Sequence, residues 1–318
     1  MVWTGIDQWQ WENVTLPAAS VRTAPFRSVV RMNRPLEFVG TFAADGFVGS
    51  FRGETMGRVE DALMVVPGGN KWRVRFQETG QGSLGGGDLV AGEAYLSDGL
   101  MSDKQRRRQT LYRQLFANAA ERGFPDEPTL FVWSRAFETH FVFSPQVEQR
   151  SSALLALPVG IDSPEAGAKV LIPSAFVRCR SVPGPDQRAA SPLFNYRTGN
   201  WLESQRPSKV WLRFELPSEV RSMHIEQAVI DVKLAAQGWN VRLSHLLDST
   251  SRLIAEQSDW SGQASFEMER SEWLQLDRAG GIVIGLEILP VKQQSDIDPL
   301  TPWKFDFVRL QVQGQMPE

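Results

Sequence analysis

The sequence predicts a mainly β protein of two domains, the second an antiparallel sandwich, on three observations. Apolar and polar residues alternate in period two between Val210 and Val312. At 318 residues the chain exceeds one ordinary core, so about two domains are expected. A hydrophobic share of 42% with 22% charged residues is that of a globular protein.

The alternation is clearest in the second domain, residues 151–318. Val210, Leu212, Phe214 and Leu216 interleave with Trp211, Arg213 and Glu215, and Ala228, Ile230, Val232 and Leu234 with Asp231 and Lys233. Trp239, Val241 and Leu243 follow with Asn240, Arg242 and Ser244 between and after them. Phe266 and Met268, then Ile282, Ile284, Leu286 and Ile288, close the series. Successive side chains on a strand point to opposite faces, so these runs are half-buried antiparallel strands of a jelly-roll-like sandwich. Trp303, Phe305 and Phe307 lie on odd positions, Val308, Leu310 and Val312 on even ones. That phase slip needs one inserted residue, a bulge near Phe307.

The first domain, residues 1–150, carries shorter runs: Leu36 and Phe38, Phe47 and Phe51, then Trp72, Val74 and Phe76. Asp45-Gly46 between the first two predicts a tight type I′ hairpin, and Pro67-Gly68-Gly69-Asn70 a turn before Trp72. One helix is expected over residues 102–122. Ser102 with Gln105 makes a capping box, and Gly123 and Pro125 stop the helix. Leu111, Tyr112, Leu115, Phe116 and Ala119 form the stripe expected to cover the first sheet, with Arg106 and Arg113 on the other side. Leu130–Trp133 and Phe141–Phe143 resume extended chain, and a polar crossover at residues 146–152 marks the domain boundary.

Composition narrows the function classes. The net charge of −3 and pI near 5.8 give no footprint for a polyanion, so nucleic acid is not an expected partner. Arg106, Arg107 and Arg108 read as a solvated helix face. The one cysteine, Cys179, cannot form an intramolecular disulfide and reads as a small buried hydrophobe. No run reaches the ~20 apolar residues of a membrane span, and Asp7 and Glu12 interrupt any signal-peptide core. The abrupt Met-Val-Trp start reads as a segment of a longer chain.

Catalytic constellations are hard to assemble. His140, His224 and His245 have no metal-ligand spacing, and His245 sits on the apolar side of its strand. Gly80, Gly82, Gly85, Gly86 and Gly87 lack the Lys-Ser/Thr ending of a phosphate loop. Glu267 and Glu269 share a solvent face, not a cleft. Asp296 and Asp298 are calcium candidates without the dense spacing of a calcium loop. No cofactor is expected. Among the 11 tryptophans, Trp72 and Trp239 are in phase with core residues and Trp211 lies on the opposite strand face. Trp201 stands in the long Pro- and Gly-rich stretch 183–207 beside Asn195, Tyr196, Arg197 and Asn200, where flat aromatic surface and hydrogen-bonding groups cluster. These five residues are the candidate ligand site.

Four phrases together resemble the extracytoplasmic part of large planctomycete-type envelope proteins. They are Gly99-Leu-Met-Ser-Asp-Lys-Gln-Arg-Arg-Arg-Gln-Thr-Leu-Tyr, Leu171-Ile-Pro-Ser-Ala-Phe-Val, Leu193-Phe-Asn-Tyr-Arg-Thr-Gly-Asn-Trp and Leu276-Asp-Arg-Ala-Gly-Gly-Ile-Val-Ile-Gly-Leu. In strand pattern alone, the second domain resembles the galactose-binding-like jelly-roll class. These resemblances imply a non-catalytic module of the cell envelope that binds a partner or spaces domains, its partners being other domains of a parent chain or another envelope protein. The alternative they imply is a carbohydrate-binding or carbohydrate-active protein holding a glycan at the 193–201 loop.

Overall fold

The computed structural model describes residues 2–5, 8–10, 36–53, 59–67, 71–77, 81–84, 102–117, 125–135, 152–247, 250–269, 274–277, 280–291 and 301–318. By internal contact the chain forms two units, Met1–Asn33 and Arg34–Glu318. The first holds an antiparallel pair, β1 (Val2–Gly5) and β2 (Gln8–Gln10), with a bulge between Trp3 and Gly5.

The second unit opens with an eight-stranded sheet. Its strands are β3 (Glu37–Ala43), β4 (Gly46–Arg52), β5 (Val59–Val65), β6 (Lys71–Arg73), β7 (Arg75–Phe76), β8 (Gln81–Leu84), β9 (Thr129–Arg135) and β10 (Ser152–Ile161), in the order β6-β5-β9-β10-β3-β4-β8-β7. β10 pairs antiparallel with β9 through Ser152 to Pro158 and parallel with β3 through Val159 to Ile161, which joins two smaller sheets into one. The expected boundary at 150/151 and Phe141–Phe143 lie outside the described residues, as do His140, Ala119 and the Gly123 stop. The β3–β4 hairpin forms where Asp45-Gly46 places it, but its turn is not type I′. Positive φ falls on Gly46, at 124°, and on neither Ala44 nor Asp45, so glycine's freedom is used at the first residue of the returning strand.

The helix α1 (Asp103–Phe116) starts in the expected capping box: the Gln105 N–H donates to Ser102 Oγ at 3.3 Å and the Ser102 N–H to Gln105 Oε1 at 2.9 Å. Its orientation corrects the expected stripe. Tyr112 and Phe116 are buried, but Leu111 and Leu115 are 47% and 37% exposed, and Arg108 and Gln109 are buried in their place. The cause is an internal cation. Arg108 pairs with Glu60 of β5 and lies 4.8 Å from the Trp133 ring of β9, so the helix turns its 108–112–116 line inward. Lys104 joins through the exposed edge, donating to Glu60 at 2.7 Å. Hydrogen bonds from Lys104 and Arg108 hold the Glu60 carboxyl below its usual range against the opposing effect of burial.

The remaining strands are β11 (Lys169–Ile172), β12 (Arg178–Val182), β13 (Phe194–Asn195), β14 (Asn200–Trp201), β15 (Ser208–Glu215), β16 (His224–Leu247), β17 (Thr250–Glu269), β18 (Gly281–Pro290) and β19 (Lys304–Gln315). They form the expected jelly-roll-like sandwich around one long hairpin. The first half of β16 pairs with β19, which pairs with β11; its second half pairs with β18, then β15 and β12; β17 follows β16 along both halves. The hairpin bends between the layers at a register shift from Ala236 to Asn240, with Gly238 at φ 80° donating its N–H to Asp259 Oδ1 at 2.7 Å. Here the buried positions pass from even residues to odd ones. Ile230, Val232, Leu310 and Val312 of one layer share an apolar cluster with Phe214, Val241, Ile284 and Leu286 of the other. The predicted bulge is present: Lys233 faces Phe307 and Leu234 faces Phe305, leaving Asp306 as the extra residue. Phe176, in the helical turn Ser174–Phe176 after β11, packs 5.1 Å from Phe42 and 4.7 Å from Phe47, so the first sheet belongs to the same cluster.

Candidate functional site

A cleft of about 600 Å³ opens beside the β13–β14 hairpin, between the turn after β11, the edge strand β12, β19 and the end of β5. The hairpin is built by its own polar groups. Asn195 Oδ1 accepts from the N–H of Arg197 at 3.0 Å and of Thr198 at 3.4 Å, Gly199 closes the turn at φ 67°, and its N–H donates to the Asn195 carbonyl at 2.8 Å.

This distributes the five sequence candidates over different roles. Trp201 is 4% exposed, its ring centre 4.6 Å from that of Phe305 and 4.9 Å from that of Phe194, so its faces belong to the core. Asn195 is spent on the turn. Tyr196 is 57% exposed and accepts a hydrogen bond from Arg197 Nε at 3.3 Å. Tyr196, Thr198, Asn200 and Trp201 line the cleft; Asn195 and Arg197 do not. Of the five, the aromatic surface open to a ligand is therefore Tyr196.

Two carboxylates on the cleft wall are engaged by cations. Glu215 accepts from Arg180 at 2.6 Å and Arg213 at 3.0 Å, and Asp306 pairs with Lys233 at 3.1 Å. Arg309 lies 3.9 Å from the Phe307 ring centre, and desolvation lowers its pKa to about 10. Burial pushes the Cys179 thiol above its ordinary value, which opposes a thiolate nucleophile. His245 is 4% exposed, as its strand phase predicts, and pairs with Ile284 in one layer while His224 pairs with Gln315 in the other. Among the described residues no three His, Cys, Asp or Glu side chains gather to hold a metal. Asp296 and Asp298 lie outside the described residues. Glu267 and Glu269 are exposed, as expected.

Two features were missed in the sequence. Arg213 clamps Asp277, whose Oδ1 accepts from Arg213 Nη2 at 2.7 Å and from the Gly281 N–H at 3.1 Å. Leu276-Asp-Arg-Ala-Gly-Gly held the turn signal but not the partner. The second is Trp211, placed on the outer strand face as expected yet 1% exposed, because the chain after β12 folds back over it.

No protein-family model matches the chain, and no curated protein matches its sequence. Solved structures that align over most of it include three of different kinds. One is of the infectious bursal disease virus Gt strain, at 10% identity over 90% of this chain and 73% of that one, TM-score 0.23. Another is the infectious bursal disease virus VP2 subviral particle, at 11% identity over 92% and 74%, TM-score 0.22. The third is the M60 catalytic domain with the CBM51-1 and CBM51-2 domains of Clostridium perfringens ZmpB, at 7% identity over 90% and 32%, TM-score 0.19. At these TM-scores the alignments carry neither fold nor function to this chain, whose β-sandwich stands on its own strand pairing.

Proposed function

We propose that this chain is a non-catalytic β-sandwich module of a larger cell-envelope protein, and that it binds a neighbouring domain or envelope protein through the cleft beside the β13–β14 hairpin. The observation that carries this is the cleft's construction. A hairpin held by its own Asx turn presents exposed Tyr196 over about 600 Å³ of space, while Glu215 and Asp306 are engaged in strand-to-strand ion pairs. Tyrosine suits such a role, since it offers large contact area at low entropic cost. The four sequence phrases support the envelope setting.

A photo-crosslinking residue in place of Tyr196 tests the reading. A reproducible crosslink from 196 to one segment of the parent chain or one envelope protein is expected. The same products from a control position on the exposed face of β17, Glu267, would overturn it.

A second reading, a glycan held at the same hairpin, is favoured by the grouping of Tyr196 with the Thr198 and Asn200 side chains on one cleft wall. Tyr196→Ala on a glycan array then loses a signal that the wild type gives. The buried Trp201 is the wrong probe, because its loss would disrupt packing against Phe305 whether or not a sugar binds.

A further inference from the structure

Trp211 is a large aromatic side chain outside the sandwich core. It faces outward from the layer made by β12, β15, β18 and the second half of β16, and its cross-strand neighbours are Val182 and Gly285, with Ser244 beyond. An ideal Cβ on Gly285 would meet Trp211 Cζ3 at 2.7 Å and Ser244 Oγ at 2.7 Å, so the indole lies along the sheet, over the gap that glycine leaves. One cross-strand row beside it reads Lys209, Glu287, Arg242, Glu256, with Arg242 Nε 3.1 Å from Glu256 and Lys209 Nζ 5.3 Å from the indole centre. The row on its other side holds Arg180 and Arg213. A flat apolar strip flanked by charged donors and acceptors suits a sugar ring, which has apolar C–H faces and a rim of hydroxyls.

That strip is covered by the chain's own strap, residues 183–192. Gly184 sits on the pyrrole edge: a Cβ there would lie 2.0 Å from Trp211 Nε1. Pro183, Pro185, Asp186, Arg188, Ala189 and Ala190 are exposed, so little of the strap is packed. Gln187 holds its tip, donating Nε2–H to the Lys209 carbonyl at 2.8 Å and accepting from the Gly184 N–H at 3.1 Å. Ser181 Oγ donates to the Ser191 carbonyl at 3.1 Å at the base. Segments with so few buried contacts open at low cost.

We propose that Trp211 is a stacking platform for a saccharide and that the 183–192 strap closes it, with Gly184 occupying the place of the sugar's apolar face. This rests on the module being non-catalytic and locates a binding site at Trp211, which does not line the cleft, although Arg180 at its edge does. Binding then carries the cost of opening the strap, and loosening the strap raises apparent affinity.

The test uses the whole chain on a glycan array, followed by calorimetry with cellohexaose, chitohexaose and oligogalacturonate, for the wild type and four variants. Gly184→Val expels the strap, Gln187→Ala unties it without adding bulk, Trp211→Ala removes the platform and Tyr196→Ala alters only the cleft. Gly184→Val or Gln187→Ala is expected to bind at least one glycan about tenfold more tightly than the wild type, as removal of a closed-state population predicts. Adding Trp211→Ala to either should abolish that gain. If Gly184→Val fails to fold, Gln187→Ala decides. No gain in glycan binding by either strap variant over the wild type would overturn the proposal. So would binding that survives Trp211→Ala and is lost in Tyr196→Ala, an outcome that leaves the cleft reading intact.

Discussion

At the residue scale, burial decides what each aromatic and titratable side chain does. Trp201 and Tyr196 stand five residues apart in one loop, yet one is core and the other surface. Trp201→Ala is expected to cost about 3 to 5 kcal/mol, the usual range for a buried large aromatic, while Tyr196→Ala stays within about 0.5 kcal/mol; chemical denaturation of both variants measures the contrast. His245 gives a pH dependence. Burial holds its pKa below 6.5, and its Nε2 is buried without a hydrogen-bond partner. As pH falls below about 6.5 the unfolded chain takes up a proton before the folded one does, so stability present above that pH is lost on acidification. His245→Leu should flatten the slope between pH 6.5 and 5 relative to the wild type; equal slopes in the two proteins would show that other groups set it.

At the scale of elements, α1 shows how one charged pair can set the face of a helix. Heptad-like spacing made Leu111 and Leu115 equivalent to Tyr112 and Phe116. Glu60 on β5 breaks the equivalence by drawing Arg108 inward over Trp133. Phe116→Ala is expected to cost about 3 to 5 kcal/mol and Leu115→Ala less than about 1 kcal/mol, a difference that thermal melts resolve. Arg108→Ala should cost more than Arg106→Ala, because it leaves Glu60 with one of its two cations and uncovers the indole of Trp133. Arg106 is mostly exposed and, among the described residues, pairs only with Asp103, at 3.2 Å.

For the whole molecule, the long hairpin and Phe176 determine cooperativity. β16 and β17 run through both layers of the sandwich, so neither layer has a separate set of strands to fall back on. Phe176 reaches from the sandwich to Phe42 and Phe47 of the first sheet, within one apolar cluster. Residues 34–318 should therefore unfold in one transition, with calorimetric and van't Hoff enthalpies agreeing. Phe176→Ala should weaken the coupling, so that the first sheet melts before the sandwich and the two enthalpies diverge. Agreement retained in Phe176→Ala would show that the strands, not this contact, carry the coupling.

The sequence by itself determined what short-range stereochemistry controls: the alternating strands, the capping box at Ser102, the bulge after Phe305, the inward phase of His245 and the outward phase of Trp211. Period and capping act within a few residues, so they can be read locally. The exposed first half of β17, Thr250 to Ser258, has no such alternation and was not legible. It is held as a strand by pairing with β16, a backbone interaction that leaves its side chains free to be polar. The tertiary structure alone decided which aromatic surfaces face solvent. Trp201 is buried because Phe305 meets it from more than a hundred residues away, and Trp211 is covered because the strap after β12 folds back onto β15. A period-two pattern tells on which side of a strand a residue lies, but what covers that side depends on distant parts of the chain.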